Sequence, residues 1–215
     1  MAQRSNSYVD FGECDDHTIY RWLSAWSLFI SGGHVQSLPL PGQAIDQVNA
    51  VFRNTGPRGK WVALTDQAGL TAAPAARHRG CAFGDLDGDG RVDVVVSAIG
   101  REAEIWMNRS EKFRHWLDIA LHGTKSNRDG IGARIKVTTK SGIQYNHMTT
   151  SVGYASSSDG PVHFGLGSDD RAEEVEIRWP SGTIQRLRHV KADRVVEVKE
   201  AAPERKTSAA LIGRR

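Results

Sequence analysis

Apolar and polar residues alternate along the second half of the chain with a period of two, the spacing of a strand with one buried and one solvated face. The clearest case is 174–179, where Val175, Ile177 and Trp179 fall on one parity and Glu174, Glu176 and Arg178 on the other. Strand-like runs succeed one another at 116–121, 133–139, 143–150, 162–166, 174–179, 183–188 and 194–199. Lys140-Ser141-Gly142 and Pro180-Ser181-Gly182 mark tight turns between them, because serine, proline and glycine favour the backbone angles and local hydrogen bonds of a turn. Short strands at this spacing predict a β-sandwich or barrel-like domain over 113–200.

The first half is patterned less evenly. Val51 to Gly56 and Trp61 to Thr65 read as strands around a turn, leading to the corner Ala68-Gly69-Leu70. A second copy of the Phe52-Arg53-Asn54 strand appears at Trp106-Met107-Asn108, 54 residues on, a period that points to repetition. Only one complete unit lies between the copies. Since repeat units are stabilised by their neighbours, 46–112 is expected to pack on the following domain, on upstream repeats outside this sequence, or on another chain. Residues 1–45 support two readings. Apolar positions 19, 22, 23, 26, 29 and 30 suit a short helix, while Ser27 to His34 reads as a strand of a truncated or scrambled first repeat. Gln36 to Gln47, with Pro39, Pro41 and Gly42, reads as a loop, and 201–215 as a disordered basic tail.

Composition narrows the class. An apolar content of 39% with 22 glycines suits a turn-rich all-β protein. The net charge of +3 resides in the tail, where Arg205, Lys206, Arg214 and Arg215 face a single acid, Glu204. The remaining body is neutral, so nucleic-acid binding is not expected. Cys14 and Cys81 are too few for a disulfide scaffold and too far apart for a zinc or redox pair. No apolar run approaches the roughly 18 residues of a membrane-spanning helix. Met1 to Gly12 is polar, without the apolar core of a signal peptide.

The strongest chemical signal is Asp85-Leu-Asp87-Gly-Asp89-Gly-Arg91-Val-Asp93, four carboxylates in nine residues followed directly by the β-branched Val94-Val95-Val96. Alternate acids on a glycine-relaxed turn converge on one point, and hard divalent cations take six to eight oxygen ligands at short range. The expected calcium ligands are the side chains of Asp85, Asp87, Asp89 and Asp93 and the backbone carbonyl of Arg91. An EF-hand is excluded, because its twelfth position, which needs a bidentate acid, is Val96 and its flanks are strand-like. The competing reading is a solvated acidic turn without an ion.

A small residue, Phe83-Gly84, Asp-x-Asp-x-Asp-Gly, two residues, Asp and an apolar strand together resemble the FG-GAP or VCBS repeat. That resemblance implies a blade of a calcium-binding β-propeller. Lys125 to Arg134, His163-Phe164-Gly165-Leu166-Gly167 and Val175 to Gly182 resemble, in the same order, the signature blocks of the ASPIC/UnbV domain. Proteins of the cartilage acidic protein type carry that domain after FG-GAP repeats. The fold implied is one or more partial propeller blades packed on a C-terminal β-sandwich or barrel-like domain, in a protein of the extracellular space or cell envelope.

Outside the acidic loop, the candidates for a protein or carbohydrate ligand are Arg128, Asp129 and His163. Each has a plainer role open to it: Asp129-Gly130 suits a turn that Arg128 caps, and His163 lies within a strand. No catalytic residue is assigned, since nucleophile and phosphate-loop motifs are absent and the eight histidines form no zinc-spaced pair. The sequence reads as a calcium-binding, non-catalytic adhesion or ligand-binding module. The alternative is a fragment of a propeller-associated enzyme acting on a glycan or natural product.

Overall fold

In the computed structural model, the residues described are 7–9, 27–32, 45–54, 60–110, 114–153, 156–158 and 160–201. The strands are β1 (Ser7–Val9), β2 (Ser27–Ile30), β3 (Ala50–Asn54), β4 (Trp61–Ala63), β5 (His78–Gly84), β6 (Asp93–Ala98), β7 (Glu104–Asn108) and β8 (His115–His122). They continue with β9 (Arg134–Thr138), β10 (Ile143–His147), β11 (Ser151–Gly153), β12 (Ser156–Ser157), β13 (Val162–Gly167), β14 (Arg171–Arg178), β15 (Ile184–Lys191) and β16 (Arg194–Lys199). Among the described residues the one helical turn is a 3₁₀ turn at Leu70–Ala72. The protein is therefore all-β.

The C-terminal strands form two sheets, β10-β9-β14-β15 and β13-β8-β16, and neither closes on itself. Their inner faces share one core. Leu117, Ile119 and Leu121 from β8, Ile135 and Val137 from β9, and Val175 and Ile177 from β14 are all buried in it. Full burial of one such aliphatic side chain stabilises the fold by roughly 1.5–3 kcal/mol. Trp179 closes the core where expected, 3% exposed. Glu176 departs from expectation. It sits on the outer parity of β14 yet is buried, because Arg178 and Arg186 fold over it with contacts of 2.8 Å and 2.6 Å.

The N-terminal strands form sheets β1-β7-β6-β5 and β2-β3-β4 around a second core that includes Val51, Leu70, Val94, Val96 and Trp106. The strand reading of 27–30 holds and the helical one fails there, because Ser27–Ile30 pairs antiparallel with Ala50–Arg53. The proposed helix over 19–26, most of the 36–47 loop and nearly all of the tail lie outside the described residues. A buried polar cluster fastens this part: Glu104 accepts the Trp106 indole N–H at 2.9 Å and the Asn49 amide at 2.8 Å, and His78 Nε2 lies 2.8 Å from it.

The two sets of sheets meet along β5, an edge strand. Its outward N–H groups at Cys81 and Phe83 donate to the hydroxyls of Ser156 and Ser158, each at 3.0 Å. Alternate serines therefore satisfy alternate amides that a bare sheet edge would leave unpaired.

Candidate functional site

Strand β5 delivers the chain to the acidic loop and β6 receives it, with Gly84 opposite Asp93 on the last rung of the ladder. Asp93 is 1% exposed and clamps the base of the loop. Its Oδ1 accepts the Asn108 N–H at 2.7 Å and its Oδ2 the Leu86 N–H at 2.9 Å. Burial pushes its pKa up, against the opposing pull of those two N–H groups. Asp85 organises the turn itself, accepting the N–H groups of Gly88, Asp89 and Gly90 at 2.8, 3.1 and 2.7 Å. Gly88 and Gly90 take φ of 76° and 84°, left-handed angles that glycine adopts without steric cost.

This backbone path brings one oxygen each of Asp85, Asp87 and Asp89 within 4.8 Å of one another. Asp93 stands outside that triangle, buried at the base of the loop where it clamps Leu86 and Asn108. Arg91 donates its backbone N–H to Asp89 Oδ1 at 2.9 Å, its Nη2 pairs with Asp89, and its Nε donates to the Asn108 carbonyl at 2.9 Å. Arg109 reaches back from beyond β7, its Nη1 2.7 Å from Asp87 and 3.2 Å from Asp89. That hydrogen bond holds the Asp87 carboxyl below the usual carboxylate range, overcoming the small upward push of burial. Two guanidinium groups thus offset part of the charge of the four acids here.

The donor set nevertheless suits a hard cation. All three groups are carboxylates, and two oxygens each roughly 2.4 Å from a calcium ion can be at most about 4.8 Å apart. Asp85, Asp87 and Asp89 would hold such an ion, and its charge would take over from Arg109 at Asp87 and Asp89.

Beside the loop a cleft of about 580 Å³ opens between the two sets of sheets. Asp85, Gly88 and Val92 of the loop line it, together with Phe29 and Phe83. These two rings meet edge to face, 6.2 Å apart. The opposite wall comes from β8, β10 and β13. On β8, Trp116 and Asp118 have the parity opposite to Leu117 and Ile119, so they face the cleft while the aliphatics face the core. On β13, His163 is the register partner of Asp118. His163 Nδ1 lies 2.7 Å from Asp118 Oδ1, and the imidazole stacks on Trp116 with centroids 6.4 Å apart and planes 18° apart. Burial raises the pKa of the Cys81 thiol, also on this cleft, against a smaller lowering by Ser31.

Arg128 and Asp129 do not join this group. They pair with each other, Nε to Oδ1 at 2.8 Å, on an exposed loop, and the Arg128 side chain is 88% exposed. Gly130, at φ 66°, lies so close to Leu121 and Trp179 that a Cβ there would meet Leu121 Cβ at 2.8 Å. The Asp129-Gly130 turn is therefore seated on the C-terminal core. The same loop is held from below by Glu200, whose Oε2 accepts the N–H groups of Thr124, Lys125 and Ser126.

Residues 42–96 match the model of the FG-GAP-like repeat family, and residues 123–205 match that of ASPIC and UnbV. The chain carries an FG-GAP-like repeat and an ASPIC/UnbV domain. It is similar to cartilage acidic protein 1 of Xenopus tropicalis, 30% identical over 120 residues, and of Mus musculus and Homo sapiens, each 29% identical over 115 residues. These segments cover 54%, 52% and 52% of the chain and 18%, 18% and 17% of the respective relatives. The chain thus spans less than a fifth of the length of those curated relatives. No helix among the described residues is long and apolar enough to cross a membrane.

Arg109, Trp116 and Asp118 lie between the two matched segments, and motif reading missed all three. Asp118 alone left a trace, as a charged residue in the otherwise apolar run Trp116 to Leu121.

Proposed function

We propose that this chain is a calcium-binding, non-catalytic module of a larger extracellular protein, in which a metal ion fixes the 85–93 loop beside a ligand-binding surface. The observation that carries this reading is the triangle of carboxylate oxygens from Asp85, Asp87 and Asp89, all within 4.8 Å of one another. The FG-GAP-like repeat and the similarity to cartilage acidic proteins support the extracellular setting. The ion acts structurally. It offsets two of the three acidic charges, releases Arg109 and stiffens the connection between β5 and β6. The partner it helps to present is a protein or a carbohydrate.

Loops of extracellular modules bind calcium at roughly 0.1–1 mM. At tenfold excess over the dissociation constant, linkage adds about 1.4 kcal/mol, a rise of several degrees in melting temperature. Calorimetric titration and thermal melts in calcium and in chelator test the proposal. Calcium should raise the melting temperature of the wild-type chain, magnesium should do so less, and Asp87→Ala should abolish the response. Equal melts in calcium and chelator, together with no titratable heat, would overturn it.

A further inference from the structure

The cleft wall opposite the acidic loop contains a histidine and carboxylate set as a hydrogen-bonded pair by strand register. Asp118 is 6% exposed, and its Oδ1 accepts a hydrogen bond from His163 Nδ1 at 2.7 Å. A carboxylate acceptor fixes the proton on Nδ1, so in the neutral ring Nε2 carries the accepting lone pair. The imidazole is partly open, its side chain 28% exposed, and it lines the cleft with one face covered by Trp116. Asp118 is thus committed to orienting His163, and the neutral imidazole has its acceptor at Nε2.

The rest of the cleft specifies the occupant. Its volume of about 580 Å³ falls within the range of sites that enclose small molecules. The repeat side contributes apolar contact from Phe29, Phe83 and Val92 besides Asp85, while the C-terminal side adds the polar Asn146 and Thr149 to His163. Among the described residues lining it there is no lysine or arginine, and Asp85 and Asp118 are there. An anion would meet two carboxylates and no permanent cation. A neutral molecule with an apolar body and a proton to donate meets both walls.

We propose that this cleft binds a small uncharged molecule consisting of an apolar body with a hydroxyl group, which donates a hydrogen bond to His163 Nε2. The hydrogen bond at its centre is made by His163, on the wall opposite the acidic loop.

The test is a panel of phenols and bicyclic alcohols, 2-naphthol among them, each matched to its methyl ether and titrated into the full chain followed by NMR. Runs in calcium and in chelator separate this site from the loop. The hydroxyl compounds should shift the resonances of Phe83, Trp116, Met148 and the His163 Nε2 nitrogen, and should bind roughly tenfold more tightly than their ethers, the value of one well-placed hydrogen bond. His163→Phe should remove that preference while retaining the apolar contact. The comparison of hydroxyl with ether in the wild-type chain keeps the test decisive if that variant fails to fold. Absence of binding by any compound at millimolar concentration, binding that maps outside the cleft, or equal affinity for alcohol and ether would each overturn the proposal.

Discussion

Arg109 Nη1 stands 2.7 Å from Asp87 Oδ2, across 22 residues of chain, and places a permanent cation at the acid triangle. A guanidinium and a divalent ion would compete for the same oxygens. Arg109→Ala should therefore bind calcium more tightly, by roughly two- to fivefold given the modest strength of exposed ion pairs. In chelator the same variant should melt lower than wild type, because Asp85, Asp87 and Asp89 then repel one another with less compensation. Calcium titrations of both proteins at low and moderate ionic strength check this. Weaker calcium binding in the variant would instead assign Arg109 the role of ordering the loop for the ion.

Gly90 meets the indole of Trp116 at van der Waals limits, and a Cβ built at Gly90 would overlap the Trp116 ring. Two penalties act together in Gly90→Ala: a non-glycine residue at φ 84° costs about 1–2 kcal/mol, and overpacking adds about 1–3 kcal/mol. The expected loss is roughly 2–5 kcal/mol, measurable by denaturant unfolding. Gly88, also at positive φ but with nothing within 4 Å, supplies the control. Gly88→Ala should show the backbone penalty alone. A loss at Gly90 no larger than at Gly88 would mean that Trp116 moves aside without cost.

Seven of the nine C-terminal strands were legible, most plainly where a period-two pattern puts an apolar face in the core; in β10 the pattern is reversed, with Ile143 and Tyr145 exposed and Gln144 buried. β8, β9 and β14 register Leu117, Ile135 and Ile177 inward with no competing signal. The acidic loop was legible because its residues are contiguous. The division of labour inside it was not. That Asp93 binds two backbone N–H groups while Asp85, Asp87 and Asp89 converge depends on where Asn108 comes to rest, 15 residues away. The cleft was less legible still. Asp118 and His163 are 45 residues apart and meet only through the β8–β13 register. A histidine in a strand has the same local sequence whether its neighbour across the sheet is an acid or a valine.

The contact between β5 and the 156–158 segment rests on paired serines. In Ser158→Ala the Phe83 N–H loses its acceptor, and in the double variant with Ser156→Ala the Cys81 N–H loses the Ser156 hydroxyl as well. A net hydrogen bond of about 1 kcal/mol corresponds to roughly a fivefold change in local opening. Hydrogen exchange at the Cys81 and Phe83 amides should therefore quicken by about that factor for each bond removed, with the Leu117 and Ile119 amides unchanged. Equal acceleration across both cores would show global destabilisation and would leave the serines without a specific role at the edge.

Glu200 offers the sharpest dependence on pH. Burial alone would raise its pKa, but the Ser181 hydroxyl and the N–H groups of Ser126, Lys125 and Thr124 bond the ionised form and hold it at about 2, against an ordinary value of 4.5. A carboxyl depressed on folding contributes stability that is present above the unfolded pKa and is lost as pH falls through the folded one. The window is therefore pH 4.5 down to about 2. Glu200→Gln keeps the size but surrenders the charge-assisted bonds, and one amide oxygen replaces two carboxylate acceptors. At pH 7 the variant should melt measurably lower than the wild type. Between pH 4.5 and 2 its melting temperature should fall less steeply than that of the wild type, so the two curves converge on the acid side. Parallel curves across that window would mean that the ionised carboxylate does not hold the 124–126 loop.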